Sequence, residues 1–201
     1  MSQIALPFDV RGAGPVRIVT GTGNRAAVEA LAEPRRWPFR AALLLGPERS
    51  GKSLLARWFA DSGAGETIDD AHRADETEVF HAWNRAQESA WPLLLTALPG
   101  WRIALPDLAS RLGGSLQLAL EAPDDAMIVD LLAAHAEQRR LALGEGAAAY
   151  LASRIERSYA AIEAVVEAID RISLERQAPA TMSVWRDALE AVQGPEQGRL
   201  L

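Results

Sequence analysis

The stretch GPERSGKS, residues 46–53, decides the fold class. It matches the pattern GxxxxGK(S/T) at every fixed position, and it directly follows the apolar run AALLL, residues 41–45. A continuous apolar run before a glycine loop is typical of a buried parallel strand, and KSLLARWFA, residues 52–60, has the spacing of a helix. A strand, a glycine-rich loop and a helix in this order predict a phosphate-binding loop in an α/β core.

Each residue type in the loop has a physical task in binding phosphate. Gly46 and Gly51 allow a backbone path whose N–H groups point at phosphate oxygens, and the helix adds the positive end of its dipole. Lys52 is expected to reach the β and γ phosphates, and the Ser53 hydroxyl to hold Mg²⁺. A chance glycine-rich turn is the alternative, which the flanking strand and helix disfavour. The predicted nucleotide-binding residues of the loop are Gly46, Pro47, Glu48, Arg49, Ser50, Gly51, Lys52, Ser53 and Leu54.

Two further segments place polar side chains after predicted strands. In TIDDAH, residues 67–72, Asp69 is expected to be the second protein ligand of Mg²⁺, and Asp70 to orient or activate the attacking water. An acidic surface turn also explains this pair. Thr96 lies in the apolar run PLLLTA, residues 92–97, and its hydroxyl is expected near the γ phosphate. An ordinary core strand explains Thr96 equally well.

Composition limits the classes of function. The chain has 201 residues, 49% hydrophobic and 24% charged, which suits one domain or a domain with a subdomain. The formal net charge of -6 disfavours an electrostatic grip on nucleic acid. The absence of cysteines excludes thiolate metal sites and fits a reducing compartment. The three histidines are scattered, and none lies in the spacing of a zinc site. Because no apolar run is long enough for a membrane span and no signal peptide is evident, we expect a cytoplasmic protein.

The hydrophobic pattern changes near Glu121. Before this residue predicted strands alternate with predicted helices, whereas from Pro123 onward every periodic segment is helical. We therefore predict an N-terminal tail at residues 1–15, an α/β base at 16–121 and a helical segment at 122–201. The base has predicted strands at 41–45, 92–97 and 115–120, and predicted helices at 24–33, 52–60 and 74–89.

Five segments together resemble a known family. The succession TGTGNRAAVEAL, LLLGPERSGKS, IDDAH, LLLTALPGW and LPDLASRL is similar to the ATPase domain of the bacterial replication initiator DnaA. With the tail QIALPF, residues 3–8, and the early end of the chain, the sequence most resembles the Hda family of DnaA-related regulators. The resemblance reaches to about Leu189. It implies an AAA+ fold, with a P-loop base whose parallel sheet is flanked by helices and a C-terminal all-helical lid subdomain.

The resemblance also assigns roles to two residues outside the loop. Arg111, in LASRL, matches the arginine finger of the family, which acts in trans on a neighbour's nucleotide. Taken alone, Arg111 is better explained as a solvated arginine on a short helix. Asn24, in GTGNRA, falls where the fold of the family wraps the adenine, and a helix cap explains an asparagine there equally well.

The tail QIALPF resembles the sliding-clamp-binding hexapeptide of the family. By this resemblance the Gln3 amide would form hydrogen bonds, and Leu6 and Phe8 would fill an apolar pocket. Pro7 reduces the number of conformations of the free tail, which lowers the entropic cost of docking. The alternating apolar residues are also consistent with a tail that packs on its own domain as an edge strand. The implied clamp-binding residues are Gln3, Ile4, Leu6, Pro7 and Phe8.

By resemblance, the function is regulation of replication initiation. A protein that holds ADP or ATP with Mg²⁺, tethered to the DNA-loaded clamp, stimulates ATP hydrolysis by DnaA and so prevents over-initiation. Its partners are DnaA and the clamp, without sequence-specific DNA binding or membrane contact, and a homodimer is left open. Two alternatives remain. One is a self-assembling, ATP-hydrolysing protein similar to helicase loaders, and the other is a clamp adaptor whose nucleotide site is purely structural.

Two departures from the family pattern bear on these expectations. The lid of the family presents an arginine in an RxLE pattern, whereas AAIE, residues 160–163, has Ala160 in that position. We therefore expect weak or no ATPase activity of the protein's own, unless Arg154 or Arg157 substitutes. The link DSGAGE, residues 61–66, is also too short for the additional strand and helix of DnaA, so a smaller sheet is expected.

Overall fold

Two units make up the part of the chain that the computed structural model describes, residues 17–144 and 146–194. One unit is Thr22–Glu121 and contains the sheet, and the other joins residues 17–21 to the helices that follow Ala122. Residues 17–21, assigned to the base from the sequence, group with the helices because Val19 packs on Met127 and Tyr159. The tail QIALPF lies outside the described residues, so its clamp-binding role stays a prediction.

A parallel sheet of four strands forms the centre of the first unit. The strand order is β2-β3-β1-β4, and Leu45 at the end of β1 pairs with Ala97 at the end of β3. This architecture confirms the α/β core with a parallel sheet, and the short link before Glu66 fits a sheet of only four strands. The strands are β1 (Ala41–Leu45), β2 (Glu66–Ile68), β3 (Leu93–Ala97) and β4 (Leu116–Ala119).

Helices cover the sheet and bury its apolar side chains. Alternate residues of β1 and β3, such as Leu43 and Leu95, join a core cluster with α3 and α4. The helices α1 and α2 contact the strands outside this cluster, where the Trp37 and Phe59 rings stack with centroids 5.2 Å apart. The helices of this unit are α1 (Arg25–Ala32), α2 (Lys52–Asp61), α3 (Glu76–Ser89) and α4 (Pro106–Gly114).

In the second unit, the described residues form four helices around a core of their own. Its buried side chains include Ile128, Leu132, Ile162 and Ile169, as the apolar spacing of these segments predicts. Two polar residues begin helices, because the Asp124 carboxylate accepts the Met127 N–H at 2.8 Å and Ser158 accepts the Ala161 N–H at 3.1 Å. The helices are α5 (Asp125–Gln138), α6 (Ala147–Ala152), α7 (Tyr159–Arg176) and α8 (Met182–Gln193). Within the described ranges, none of the helices combines the length and apolarity that crossing a membrane requires.

The start of β2 depends on a close backbone approach at Gly65. A Cβ at this position would collide with the Pro92 carbonyl oxygen and lie 2.6 Å from the Phe59 ring. We expect Gly65→Ala to lower the free energy of unfolding by about 1 to 3 kcal/mol, since neither neighbour can yield cheaply. Urea unfolding followed by circular dichroism measures the change.

Gly113→Ala is the matched control for that substitution. A Cβ at Gly113 meets nothing within 4 Å, and the residue lies inside α4. Alanine there should stabilise the protein by up to about 1 kcal/mol, through helix propensity. Equal effects of the two substitutions would contradict the packing described for Gly65.

Candidate functional site

The predicted site residues meet at one edge of the sheet, where the parallel strands end. The loop of residues 46–51 follows β1, and Asp69 and Asp70 follow β2. Thr96 lies near the end of β3, which runs between these two strands in the sheet. Ligands of open α/β sheets bind at the carboxyl ends of strands, so the fold gathers the loop, the acidic pair and Thr96 at such a position.

The loop backbone is fixed by close contacts that only glycine permits. Gly46 is buried, and a Cβ there would lie 2.8 Å from the Ser50 Oγ and 2.9 Å from the Leu120 Cβ. Its N–H donates to the Ala97 carbonyl at 3.3 Å, which ties the loop to β3. Gly51 has a φ of 88°, in the left-handed region, and α2 begins at the next residue. The sequence pattern therefore reflects real steric needs at both glycines.

Lys52 brings a buried positive charge into this loop. Only 6% of the residue is exposed, and its Nζ donates to the carbonyls of Gly46 at 2.8 Å and Pro47 at 2.7 Å. Burial lowers the pKa of the ammonium group, while the carboxylates of Asp70, Asp69 and Glu48 act in the opposite direction. An ammonium has three N–H donors, so two hold the loop together and one remains for an anion.

Ser50 provides an independent sign that the loop binds a ligand. Its residue is 6% exposed, and its buried Oγ has no hydrogen-bond partner among the described residues. A buried hydroxyl without a partner is unfavourable unless a ligand or water satisfies it. Together with the ammonium and the helix N-terminus, this orphaned hydroxyl fits a phosphate group.

Thr96 organises the acidic pair. The residue is fully buried, and its Oγ1 donates to the Asp69 Oδ1 at 2.5 Å while it accepts the Asp70 N–H at 2.9 Å. Asp70 has a φ of 51°, and its Oδ2 lies 4.0 Å from the Arg73 guanidinium. The threonine hydroxyl therefore links β3 to the chain just after β2, and it orients the Asp69 carboxylate and the Asp70 backbone.

A magnesium ion fits the predicted pair of ligands only with help from a nucleotide. No cluster of three or more His, Asp or Glu side chains that could hold a metal occurs in residues 17–144 and 146–194. Mg²⁺ commonly binds one or two protein oxygens and completes its shell with phosphate oxygens and water. Ser53, which is exposed at the start of α2, and Asp69, also exposed, suit that mode.

Asn24 occupies the position before α1 without acting as its cap. The residue is 6% exposed, yet its side chain makes no capping hydrogen bond to the helix. The helix-cap explanation of this asparagine is therefore not supported by the geometry. Asn24 belongs to the same unit as the phosphate loop.

Arg111 lies in the last turn of α4, and its guanidinium packs on α3. The Cζ atom is 4.2 Å from the centroid of the Phe80 ring and 4.8 Å from that of Trp83. The side chain is half-buried, and the rings hold one face of the guanidinium. The sequence analysis missed the two aromatic residues, although their spacing of three places them on one face of a helix.

Comparisons with known proteins agree with this geometry. Residues 124–189 match the family model described as the lid domain of Hda. Domain III of DnaA from Thermotoga maritima superposes with a TM-score of 0.73 at 16% identity, covering 89% of this chain and 95% of that one. The chain thus has the fold of DnaA domain III, and residues 124–189 carry a helical segment that matches the Hda lid.

Two other solved structures share this fold. AMPPCP-bound DnaA from Aquifex aeolicus gives a TM-score of 0.59 at 17% identity, over 80% of this chain and 66% of that one. The Thermotoga maritima Holliday junction branch migration motor RuvB gives 0.59 at 15% identity, over 88% and 72%. No curated protein sequence is significantly similar to the chain.

The Hda-type lid carries alanine where the sequence comparison expected an arginine. Ala160 is exposed in the first turn of α7. Of the two arginines considered as substitutes, Arg157 pairs with the Asp125 carboxylate at 2.8 Å, and Arg154 lies 4.1 Å from the centroid of the Tyr150 ring. Both guanidinium groups are thus engaged within the lid.

Replacing the Thr96 hydroxyl should be costly. In Thr96→Val the shape is retained, but the Asp70 N–H loses its acceptor and the Asp69 carboxylate loses a donor. We expect the free energy of unfolding to fall by about 1 to 3 kcal/mol, measured by urea titration.

Thr67→Val is the matched control, because the Thr67 hydroxyl forms no hydrogen bond to another described residue and the residue lies in β2. It should change the free energy of unfolding by less than about 0.5 kcal/mol. If Thr96→Val were as mild as this control, the threonine would have no organising role.

Proposed function

We propose that this protein is a nucleotide-bound regulator that stimulates ATP hydrolysis by the replication initiator DnaA while it is tethered to the DNA-loaded sliding clamp. The observation that carries the proposal is the Hda lid match at residues 124–189, on a chain whose base has the fold of DnaA domain III. Regulation of initiation is the function that the Hda resemblance implies. The site geometry supports the nucleotide part of the proposal.

ADP or ATP is the proposed resident ligand. The buried Lys52 ammonium, the orphaned Ser50 hydroxyl and the glycine-shaped backbone suit the β and γ phosphates, and related DnaA structures hold AMPPCP. Ser53 and Asp69 would hold Mg²⁺, which neutralises phosphate charge when bound. Asn24 is proposed to contact the adenine, because the resemblance to DnaA places it where the fold wraps the base.

Hydrolysis is proposed to take place on the partner's nucleotide. Arg111 would enter the DnaA site and place its N–H donors against the oxygens on which charge develops as the γ phosphoryl leaves. Asp70 would position water for hydrolysis in the protein's own site. Since no arginine occupies the Ala160 position, we propose that this intrinsic reaction is weak or absent.

The role of Arg111 predicts a specific defect. With DNA-loaded clamp and ATP-bound DnaA, the wild type should accelerate single-turnover hydrolysis, and Arg111→Ala should still bind DnaA but lose at least about tenfold of the stimulation. Arginine fingers in GTPase systems contribute about 10³ to 10⁵ in rate, so a tenfold loss is smaller than the full effect of removing one.

Arg171→Ala is the matched control, since Arg171 is an exposed arginine of α7 and its removal changes the net charge equally. It should stimulate hydrolysis as the wild type does. Full stimulation by Arg111→Ala would refute the action of the finger in trans and favour a clamp adaptor.

The proposed tether predicts a different pattern. Gln3→Ala combined with Phe8→Ala should abolish binding to the clamp and remove the dependence of stimulation on the DNA-loaded clamp. The control combines Asp9→Ala with Val10→Ala, two neighbouring residues beyond the hexapeptide. Clamp pull-down and the hydrolysis assay give the readouts. Clamp binding by the first pair at wild-type affinity would show that QIALPF is not the tether.

A further inference from the structure

The helix α3 fixes α4 at both of its ends. At the start of α4, the two carboxylate oxygens of Glu76 accept the N–H groups of Ala104 at 2.9 Å and Leu105 at 2.6 Å. At its end, the Trp83 Nε1 donates to the Ser115 Oγ at 3.1 Å. The two helices are therefore held together, because α4 cannot slide on α3 without breaking hydrogen bonds at both of its ends.

The second of these links leads directly to Arg111. The Ser115 hydroxyl, which accepts from Trp83, donates to the Arg111 carbonyl at 2.9 Å. The same indole also lies 4.8 Å from the guanidinium carbon. Trp83 thus restrains the backbone and the charged group of the same residue, and it is itself buried in the core cluster of the sheet.

The guanidinium is held in a way that leaves its hydrogen-bond donors available. It lies over the Phe80 and Trp83 rings, and among the described residues no acidic side chain or carbonyl accepts a hydrogen bond from it. A carboxylate partner would occupy the N–H fork, whereas an aromatic ring attracts the face of the cation. The N–H edge therefore remains for an anion supplied from outside, and planar bidentate contacts to phosphate use that edge.

We propose that Phe80 and Trp83 are positioning residues, which hold the Arg111 guanidinium pre-oriented for the nucleotide phosphates of a partner. This inference rests on the proposed function and adds which residues hold Arg111 in position. The rings restrict the conformations of the long arginine side chain in the free protein. The side chain therefore loses less conformational entropy when it binds the phosphates. Losing them should lower the maximal stimulated rate while leaving the affinity for DnaA unchanged, because they touch the finger and not the phosphate.

The test compares two substitutions of the half-buried Phe80 in the full-length protein. Phe80→Leu retains apolar volume without a ring, and Phe80→Tyr retains the ring. With DNA-loaded clamp and ATP-bound DnaA, Phe80→Leu should lower the maximal hydrolysis rate about threefold to thirtyfold at unchanged half-saturating concentration. Phe80→Tyr should restore the rate. Trp91→Leu, at an aromatic residue 50% exposed before β3, should have no effect.

A second readout observes Arg111 without any partner. In protein with ¹³C-labelled arginine, the Arg111 Hδ signals should be shifted upfield by the ring currents in the wild type and in Phe80→Tyr. The shift should shrink in Phe80→Leu. If circular dichroism shows that Phe80→Leu is unfolded, Ser115→Ala replaces it, because it breaks the link from Trp83 to the Arg111 carbonyl and keeps both rings. It should lower the maximal rate in the same way.

Each contrary outcome has a distinct meaning. Full stimulation by Phe80→Leu with a reduced Arg111 shift would overturn the positioning role, and so would a Phe80→Tyr variant as slow as Phe80→Leu. If the wild type stimulates but its Arg111 signals are not shifted, the Arg111 side chain does not pack on the rings in solution. The positioning role then fails and the proposed function stands. If the wild type does not stimulate DnaA at all, the proposed function fails, and this inference fails with it.

Discussion

The buried ammonium of Lys52 is the constraint on which the site depends. A charged residue of which only 6% is exposed is costly to bury unless the charge is paired. Two loop carbonyls and a nearby set of carboxylates compensate for this cost only in part. The loop can close around Lys52 only because Gly46 has no side chain. The same closure leaves the Ser50 hydroxyl buried without a partner. Both features become favourable when an anion binds, so the loop is organised to bind an anion.

The register of the parallel strands places Thr96 and the two aspartates at the same edge of the sheet as Lys52. Because Leu45 pairs with Ala97 and β2 pairs with the other side of β3, the chain after β2 lies within reach of the Thr96 hydroxyl. That single hydroxyl then orients the Asp69 carboxylate and the Asp70 backbone. Among residues 17–144 and 146–194, Arg111 has no anionic partner and is held by two aromatic rings. This is the arrangement expected of a cation that acts on another molecule's phosphates.

Much of the fold could be predicted because local pattern and tertiary structure agree. AALLL and LLLTA are uninterrupted apolar runs, and they became the two central strands. The strand Glu66–Ile68 carries too few residues for periodicity to identify, and only its position before the acidic pair indicated it. Phe80 and Trp83 could not be distinguished from core residues, because only the packing of α4 on α3 brings Arg111 over their rings. Residues 17–21 join the helical unit through long-range packing on Met127, which no local signal encodes.

The central claim is that the loop around Lys52 binds nucleotide through its phosphates, and calorimetric titration of nucleotide-free protein tests it most directly. The account predicts that ADP and ATP bind at least about 100-fold more tightly than adenosine, equivalent to about 2.7 kcal/mol from charge-assisted phosphate contacts. Lys52→Met, which keeps an unbranched side chain one atom shorter and removes the charge, should remove most of that difference. Equal affinity for adenosine and ADP, or no binding of either nucleotide by the folded protein, would contradict the account.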